Sequence, residues 1–393
     1  MSSDIKSQPV QSLTSGVVFL GFAAFGTLWG LYAAAIPAIK DAVGISDSAL
    51  GMAMMCVALA AAPAMAITGR LLDRFGRPVV VAAAAGWAVV AVLPATAGSL
   101  PSLIAALLLF GLGSGAFDVV INSMAATVEA EQGVRVMNRA HALFSAGLML
   151  GAVVTGVGRS AGTTPWILAA VAGLLTLAGV LAVARRVPRH VARERPAKGG
   201  RSGINGLVIG LGLLVALALL VESGVQQWSA VFLEDGIGAP AAVSGLAPAV
   251  FAGAMVLGRL GGHWISTRMS DRIVLLVSGI VSGVGVLVVA NAATPVLALV
   301  GFAIAGGALS VAAPTVYGLV GRRSPVDRRG TNIGAVSSIG YLGLLLGPVV
   351  VGQLAGPFGL RVAFACLATV SVVLTLSALT LRGLGTTTTT EGA

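Results

Sequence analysis

Two carboxylates stand where carboxylates are costly. Asp118 and Glu222 each interrupt a long apolar run. A charged group at such a depth is kept only if it faces a polar interior or a water-filled cavity. Asn122 lies four residues after Asp118 and Glu129 eleven residues after it, so at 3.6 residues per turn all three share one helix face. Arg135, Asn138 and His141 follow directly. Burial disfavours a charged carboxylate and a nearby cation favours it, so a group held between the two can take up and release a proton. Asp118, Glu129, His141 and Glu222 are therefore candidates for proton handling. The bland alternative is a static pair of Asp118 or Glu129 with His141 or Arg139 that locks two helices together. Glu222 is followed by Gln226, Gln227 and Trp228, a carboxylate, amides and an indole suited to a hydroxylated or cationic solute. Trp228 also fits an anchor at a membrane interface. Asn122, Glu222, Gln226, Gln227 and Trp228, with Trp29, Tyr32 and Tyr341, form the candidate binding set.

Other chemistries find no support in the residue pattern. An enzyme within the membrane needs a nucleophile with a base, or clustered metal ligands. The three histidines, His141, His190 and His263, are far apart in the chain. No glycine-rich loop ending in Lys-Ser or Lys-Thr is present to hold a nucleotide. No catalytic residue, metal or cofactor is expected. Cys56 and Cys366 lie in apolar runs in opposite halves of the chain and read as two packing cysteines.

The elements that position these groups are membrane helices. Of 393 residues, 57% are hydrophobic and 10% charged, against about 25% charged in soluble domains. Mean hydropathy is +0.98. A helix crossing about 30 Å of hydrocarbon needs roughly 20 apolar residues. Twelve such spans are expected near Ser15–Ile39, Ala49–Thr68, Pro78–Leu100, Pro101–Val128, Ala140–Gly158, Pro165–Ala184, Ile204–Phe232, Ala241–Gly262, Ile273–Ala293, Pro295–Val320, Asn332–Leu354 and Val362–Leu381. The polar first residues and the long span after them give no sign of a cleavable leader. With the N-terminus in the cytoplasm, all but Lys40, Arg159 and Arg361 of the 24 Lys and Arg fall on the cytoplasmic side. This alternation is what positive-inside orientation requires, and a wrong span count would scramble it. The net charge of +10 is therefore explained by topology, not by nucleic acid. The expected location is a bacterial inner membrane, multi-pass, with both termini cytoplasmic.

The chain divides almost equally. Residues 1–14 form a cytoplasmic tail, 15–184 a first six-helix half, 185–203 a basic linker, 204–382 a second six-helix half, and 383–393 a tail with a Thr386–Thr390 run. A faint repeat joins the halves: Gly69-Arg70-Leu71 closes span two, and Gly258-Arg259-Leu260 falls late in span eight. Two similar halves about an axis along the membrane normal suit a site at their interface. Gly147/Gly151 and Gly343/Gly347 have the spacing of close helix contacts, and Pro314 and Pro348 are placed to kink their helices.

The run Gly69-Arg-Leu-Leu-Asp73-Arg74-Phe-Gly76-Arg77 resembles the signature loop of the major facilitator superfamily. The resemblance implies an all-α membrane fold of twelve helices in two pseudo-symmetric halves. It also implies a gating role for Gly69, Asp73, Arg74, Gly76 and Arg77, with Asp73 holding the halves together on the cytoplasmic side near Asn332. The matching loop in the second half departs from the pattern, with His263 where relatives carry Asp. Asp118 through His141, with Glu222 through Trp228, looks similar to a bacterial branch related to fucose permease, a sugar–proton symporter with an acid in its fourth span. That permease also has an Asp in its first span, where this chain offers only Thr27, Trp29 and Tyr32. Drug–proton antiporters usually carry an Arg in span four and Gly-Pro in span five, and neither is present. The expected function is secondary active transport of a small sugar-like or polar solute by alternating access, coupled to protons, in a monomer embedded in lipid. The alternatives are proton-driven efflux of drugs or metabolites, and, in other classes, a non-transporting receptor or scaffold or an intramembrane enzyme.

Overall fold

The computed structural model describes residues 15–184, 206–266, 268–325 and 328–379. The linker 185–203, both tails and the His263 side chain lie outside the described residues. Twelve helical spans, numbered 1 to 12 in chain order, are long and apolar enough to cross a membrane: Ser15–Val43, Asp47–Phe75, Arg77–Thr96, Leu100–Gln132, Met137–Ser160, Pro165–Val183, Gly206–Gly236, Ala241–Gly262, Asp271–Ala290, Pro295–Arg323, Arg329–Phe358 and Leu360–Leu379. Among the described residues there is no strand. The twelve-helix expectation holds, and the differences are local. Span 2 does not stop at Thr68 but continues to Phe75, since Gly69 to Phe75 contains no residue that ends a helix. Gly76 ends it, with φ of 60° and its N–H bonded to Leu72 O at 2.8 Å. A residue with a β-carbon is disfavoured in that conformation. The signature run is thus mostly helix, with a one-residue corner. Span 10 breaks between Leu309 and Ala312, where Pro314 has no N–H for the carbonyl of Ser310.

Small residues decide which helices touch. Span 1 lies along span 5 with Gly26, Gly30, Gly147 and Gly151 in the seam, and a β-carbon at Gly151 would collide with the carbonyl of Thr27. Span 7 lies along span 11 in the same way, where a β-carbon at Gly343 would strike the Ala216 carbonyl. The partner pattern repeats throughout. Spans 1 and 5, 2 and 4, and 3 and 6 pack together in the first half; 7 and 11, 8 and 10, and 9 and 12 do so in the second. The halves meet through span 2 on span 11 and span 5 on span 8. This is the packing of a repeated six-helix unit.

Inside, aromatic rings fill the first half: Trp87 is fully buried, with ring centroids 4.8 Å from Phe110 and 5.3 Å from Phe25. Phe232, Phe302 and Phe364 do the same in the second. Outside, leucine and valine dominate; Leu174 and Leu175 are 65% and 69% exposed. A helical wall of this kind has its backbone groups satisfied internally and suits contact with lipid.

Candidate functional site

The two ends of the helix bundle differ. Arg70, Arg74, Arg77, Arg135 and Arg139 gather at one of them, the basic end. At the opposite, far end the halves are locked together. Arg159, at the end of span 5, makes a two-pronged contact with Glu234 of span 7, with Nη2 to Oε1 at 2.6 Å and Nη1 to Oε2 at 2.9 Å. Its Nη1 also donates to Ala34 O at 3.3 Å, and Ser244 Oγ donates to Glu234 Oε2 at 2.8 Å. Paired forks of this geometry are among the stronger charge-assisted contacts. Lys40 of span 1 reaches Asp235 of span 7 at 2.6 Å and Asp47 of span 2 at 2.5 Å. Bare backbone completes the seal. Gly51 of span 2 faces Gly352 of span 11, and Gly156 of span 5 faces Gly245 of span 8; a β-carbon at Gly245 would lie 2.8 Å from Gly156 Cα. Ser48 Oγ donates to Gly352 O and Gln353 Nε2 donates to Ser48 O.

Beneath the seal, between the halves, lies a cavity of about 360 Å³. That is within the usual size range of small-molecule sites, ~300–1,000 Å³. Trp29 and Tyr32 line it from span 1, Ser114 and Asp118 from span 4, Ser223, Gln226 and Gln227 from span 7, and Tyr341 from span 11. Asp118 is the one charged residue in that lining. It sits near the middle of span 4, with Asn122 Nδ2 donating to its Oδ1 at 3.1 Å and to its backbone O at 2.9 Å. Tyr341, from the other half, stands within electrostatic reach of it. Trp29 Nε1 donates to Ser114 Oγ at 3.2 Å, fixing the indole plane, and Tyr32 packs 4.8 Å from Phe110. Gln227 Oε1 is buried with no hydrogen-bond partner among the described residues. A buried acceptor of this kind calls for an explanation, and an arriving donor supplies one.

The structure gathers Asp118, Trp29, Tyr32, Gln226, Gln227 and Tyr341 into one place. It puts the remaining candidates elsewhere. Glu129 Oε1 accepts the N–H groups of Val136 (2.7 Å) and Met137 (2.9 Å), capping the start of span 5. Glu129 thus does lock spans 4 and 5, through backbone amides and not through His141 or Arg139. Trp228 is fully buried at the seam with span 11, its Nε1 donating to Pro348 O at 3.0 Å. It is neither at an interface nor in the cavity. Asn122 acts on Asp118 from behind. Glu222 is partly buried on span 7, within electrostatic reach of Arg259. His141 lies nearer the basic end with its ring edge-on to Phe22 at 5.0 Å. Asp73 and Arg74 are exposed at the basic end; Arg74 lies over the Phe75 ring, and Asp73 makes no hydrogen bond or ion pair among the described residues.

The profile of the Major Facilitator Superfamily matches residues 18–272 and 211–391. An MFS-type transporter of Yersinia pestis is 30% identical over 96% of this chain and 99% of its own length. The chain belongs to the major facilitator superfamily. It is accordingly a multi-pass membrane protein and a secondary transporter, not an enzyme. Solved major facilitator structures share its fold. The nucleoside transporter NupG superposes with a TM-score of 0.73 at 15% identity, covering 95% of this chain and 99% of that one. A D-xylose–proton symporter superposes at 0.70 and 15% identity, with 95% and 97% covered.

Sequence reasoning missed the far-end lock. A signal was present: Lys40 and Arg159 are among the three cations on the side that positive-inside topology leaves poor in them. Arg259 lies late in span 8, as expected, and the helix runs on past the apolar span to Ser266.

Proposed function

We propose that this transporter carries a small hydroxylated solute through the central cavity by alternating access, coupled to a proton on Asp118. The observation that carries the reading is the cavity lining: one carboxylate, aromatic faces and amides, drawn from both halves. Aromatic rings offer flat apolar faces to the C–H side of a sugar-like ring, while Gln226, Gln227 and Ser223 offer partners to its hydroxyls. Asp118 is the group able to change charge within that space. A carboxylate that must be neutral to cross a dry barrier ties the crossing to a proton. The charge pattern supports placing the basic end and both termini in the cytoplasm of a bacterial inner membrane. On that reading the conformation is closed outward. Asp73, with no bond among the described residues, is then the group that holds the basic end shut in the opposite conformation, against the N-terminal turn of span 11. One chain suffices for the pathway.

The test uses purified full-length protein in proteoliposomes with a pH gradient and a panel of pentoses, hexoses and sugar acids. The wild type accumulates at least one of them. Asp118→Asn loses accumulation by at least tenfold and keeps exchange at equal pH. Uphill accumulation by Asp118→Asn would refute the coupling role.

A further inference from the structure

Toward the basic end, between span 5 and spans 8, 9 and 10, a second cavity of about 440 Å³ opens. Arg259, Asn138 and His141 line it. None of the three side chains has a hydrogen bond or ion pair among the described residues. His141 has only its ring contact with Phe22, and Arg259 acts on Glu222 and His141 through space alone. Guanidinium is a donor without acceptor capacity, and the amide and imidazole add further N–H groups. The hydroxyls in the same wall face the other way chemically. Ser145, Ser310 and Thr315 each donate to a carbonyl of their own span, at 3.2, 2.7 and 2.7 Å, and their oxygens accept from no donor among the described residues. The remaining charges in the lining cancel, because Arg322 is bonded to Asp271 at 2.6 Å. Arg259 is therefore the cation of the wall with no bonded counter-ion among the described residues, Glu222 reaching it through space alone. Its origin is fixed, since a β-carbon at the adjacent Gly258 would collide with Ser310 and Gly307 of span 10. The helix of span 8 runs on past Arg259 to Ser266, so the residue is held on regular helix backbone.

We infer that this cavity is an oxyanion subsite, with Arg259 and Asn138 binding the carboxylate of a small hydroxylated acid. Arg259 supplies the forked donor pair that matches a carboxylate, and the serine and threonine lone pairs accept from the hydroxyls of the same molecule. Span 5 borders both cavities, with Phe144 and Leu148 facing the central one and His141 and Ser145 this one. The subsite thus lies on the route between the central cavity and the basic end. The inference deepens the transport reading and rests on it for taking the ligand as cargo.

Thermal unfolding of the purified full chain in neutral detergent tests it, with D-glucuronate, D-glucose and inorganic phosphate as probes at matched ionic strength. Glucuronate and glucose share a ring and differ in the carboxylate. Wild type is expected to be stabilised by glucuronate with an apparent Kd at least tenfold below that for glucose. Arg259→Gln removes that advantage, Arg259→Lys keeps part of it, and Arg135→Gln, the same charge loss outside the cavity, keeps all of it. Equal stabilisation by glucose and glucuronate, no response to either glucuronate or phosphate, or an undiminished response in Arg259→Gln would each overturn the subsite. A repeat in nanodiscs, neutral against phosphatidylglycerol-rich, separates the sources of the oxyanion. Arg259-dependent stabilisation by phosphatidylglycerol without any by glucuronate assigns the site to a lipid headgroup and overturns the cargo assignment. These measurements need no gradient. Accumulation that depends on Asp118 but ignores the carboxylate would leave the transport reading intact and remove the subsite alone.

Discussion

Asp118 and Glu129 show how one helix face can carry two carboxylates with unrelated tasks. They lie three turns apart and look equivalent in the sequence. Asp118 borders the cavity, while both N–H contacts of Glu129 go to the turn that begins span 5. The difference predicts different losses. Glu129→Ala removes a helix cap and should cost roughly 0.5–2 kcal/mol of stability, seen as a lower melting temperature, with the ratio of uphill accumulation to exchange unchanged. Glu129→Gln retains an acceptor oxygen and should lose less. A Glu129→Gln variant that folds normally but no longer accumulates solute would return Glu129 to the proton pathway. The sequence placed these carboxylates on a common face because helical periodicity is local. It did not separate them, because the partner of Glu129 depends on where the chain turns after Gln132.

At the scale of helices, hydropathy and charge made the twelve spans legible, since both are properties of short stretches. The partners of each span were less so. The Gly147/Gly151 and Gly343/Gly347 pairs marked close contacts, but which helix they would meet depends on the whole packing. Trp228 is the clearest case. Its neighbours Gln226 and Gln227 face the cavity, and the sequence groups all three. One more step of rotation instead turns the indole onto Gly352, where a β-carbon would lie 3.0 Å from Trp228 Cζ2. The packing gives a graded prediction. Gly151→Val drives a branched side chain into the backbone of span 1 and should destabilise by about 1–3 kcal/mol or more, with little folded protein recovered by size-exclusion chromatography. Gly86→Ala, with no atom near its added carbon, should be neutral or gain up to about 1 kcal/mol from helix propensity. Equal recovery of the two variants would contradict the packing described.

For the whole molecule, the far-end lock sets which conformation dominates. Arg159 and Glu234 are 10% and 20% exposed and joined by two contacts, a better case than a surface ion pair. Reversing one charge leaves a buried like-charge contact. Arg159→Glu should therefore move the population toward an opened far end by at least tenfold, which corresponds to about 1.4 kcal/mol. The shift is readable as faster labelling of Ser48→Cys, which sits in the seal against Gly352 and adds no bulk, in a background with Cys56 and Cys366 replaced. Adding Glu234→Arg should recover part of the lock. An unchanged labelling rate in the single variant would show that the glycine contacts alone hold the end closed. The sequence offered the charges of this lock but not their pairing, because Arg159 and Glu234 are distant in the chain and meet only when the two halves do.

The glycine seams also bear on the cell's energy economy. Span 1 is pressed to span 5 and span 7 to span 11 over much of their length, and spans 5 and 11 each also touch the opposite half, at spans 8 and 2. Each pair then behaves as a stiff beam with the central cavity near its pivot. A beam that swings away from its partner at one end swings toward it at the other, so both ends do not stand open together. Such a molecule is expected to pass through no state that resembles a pore. A bilayer holding many copies keeps its ion gradient even when no solute is present, because an idle carrier of this build does not short-circuit it.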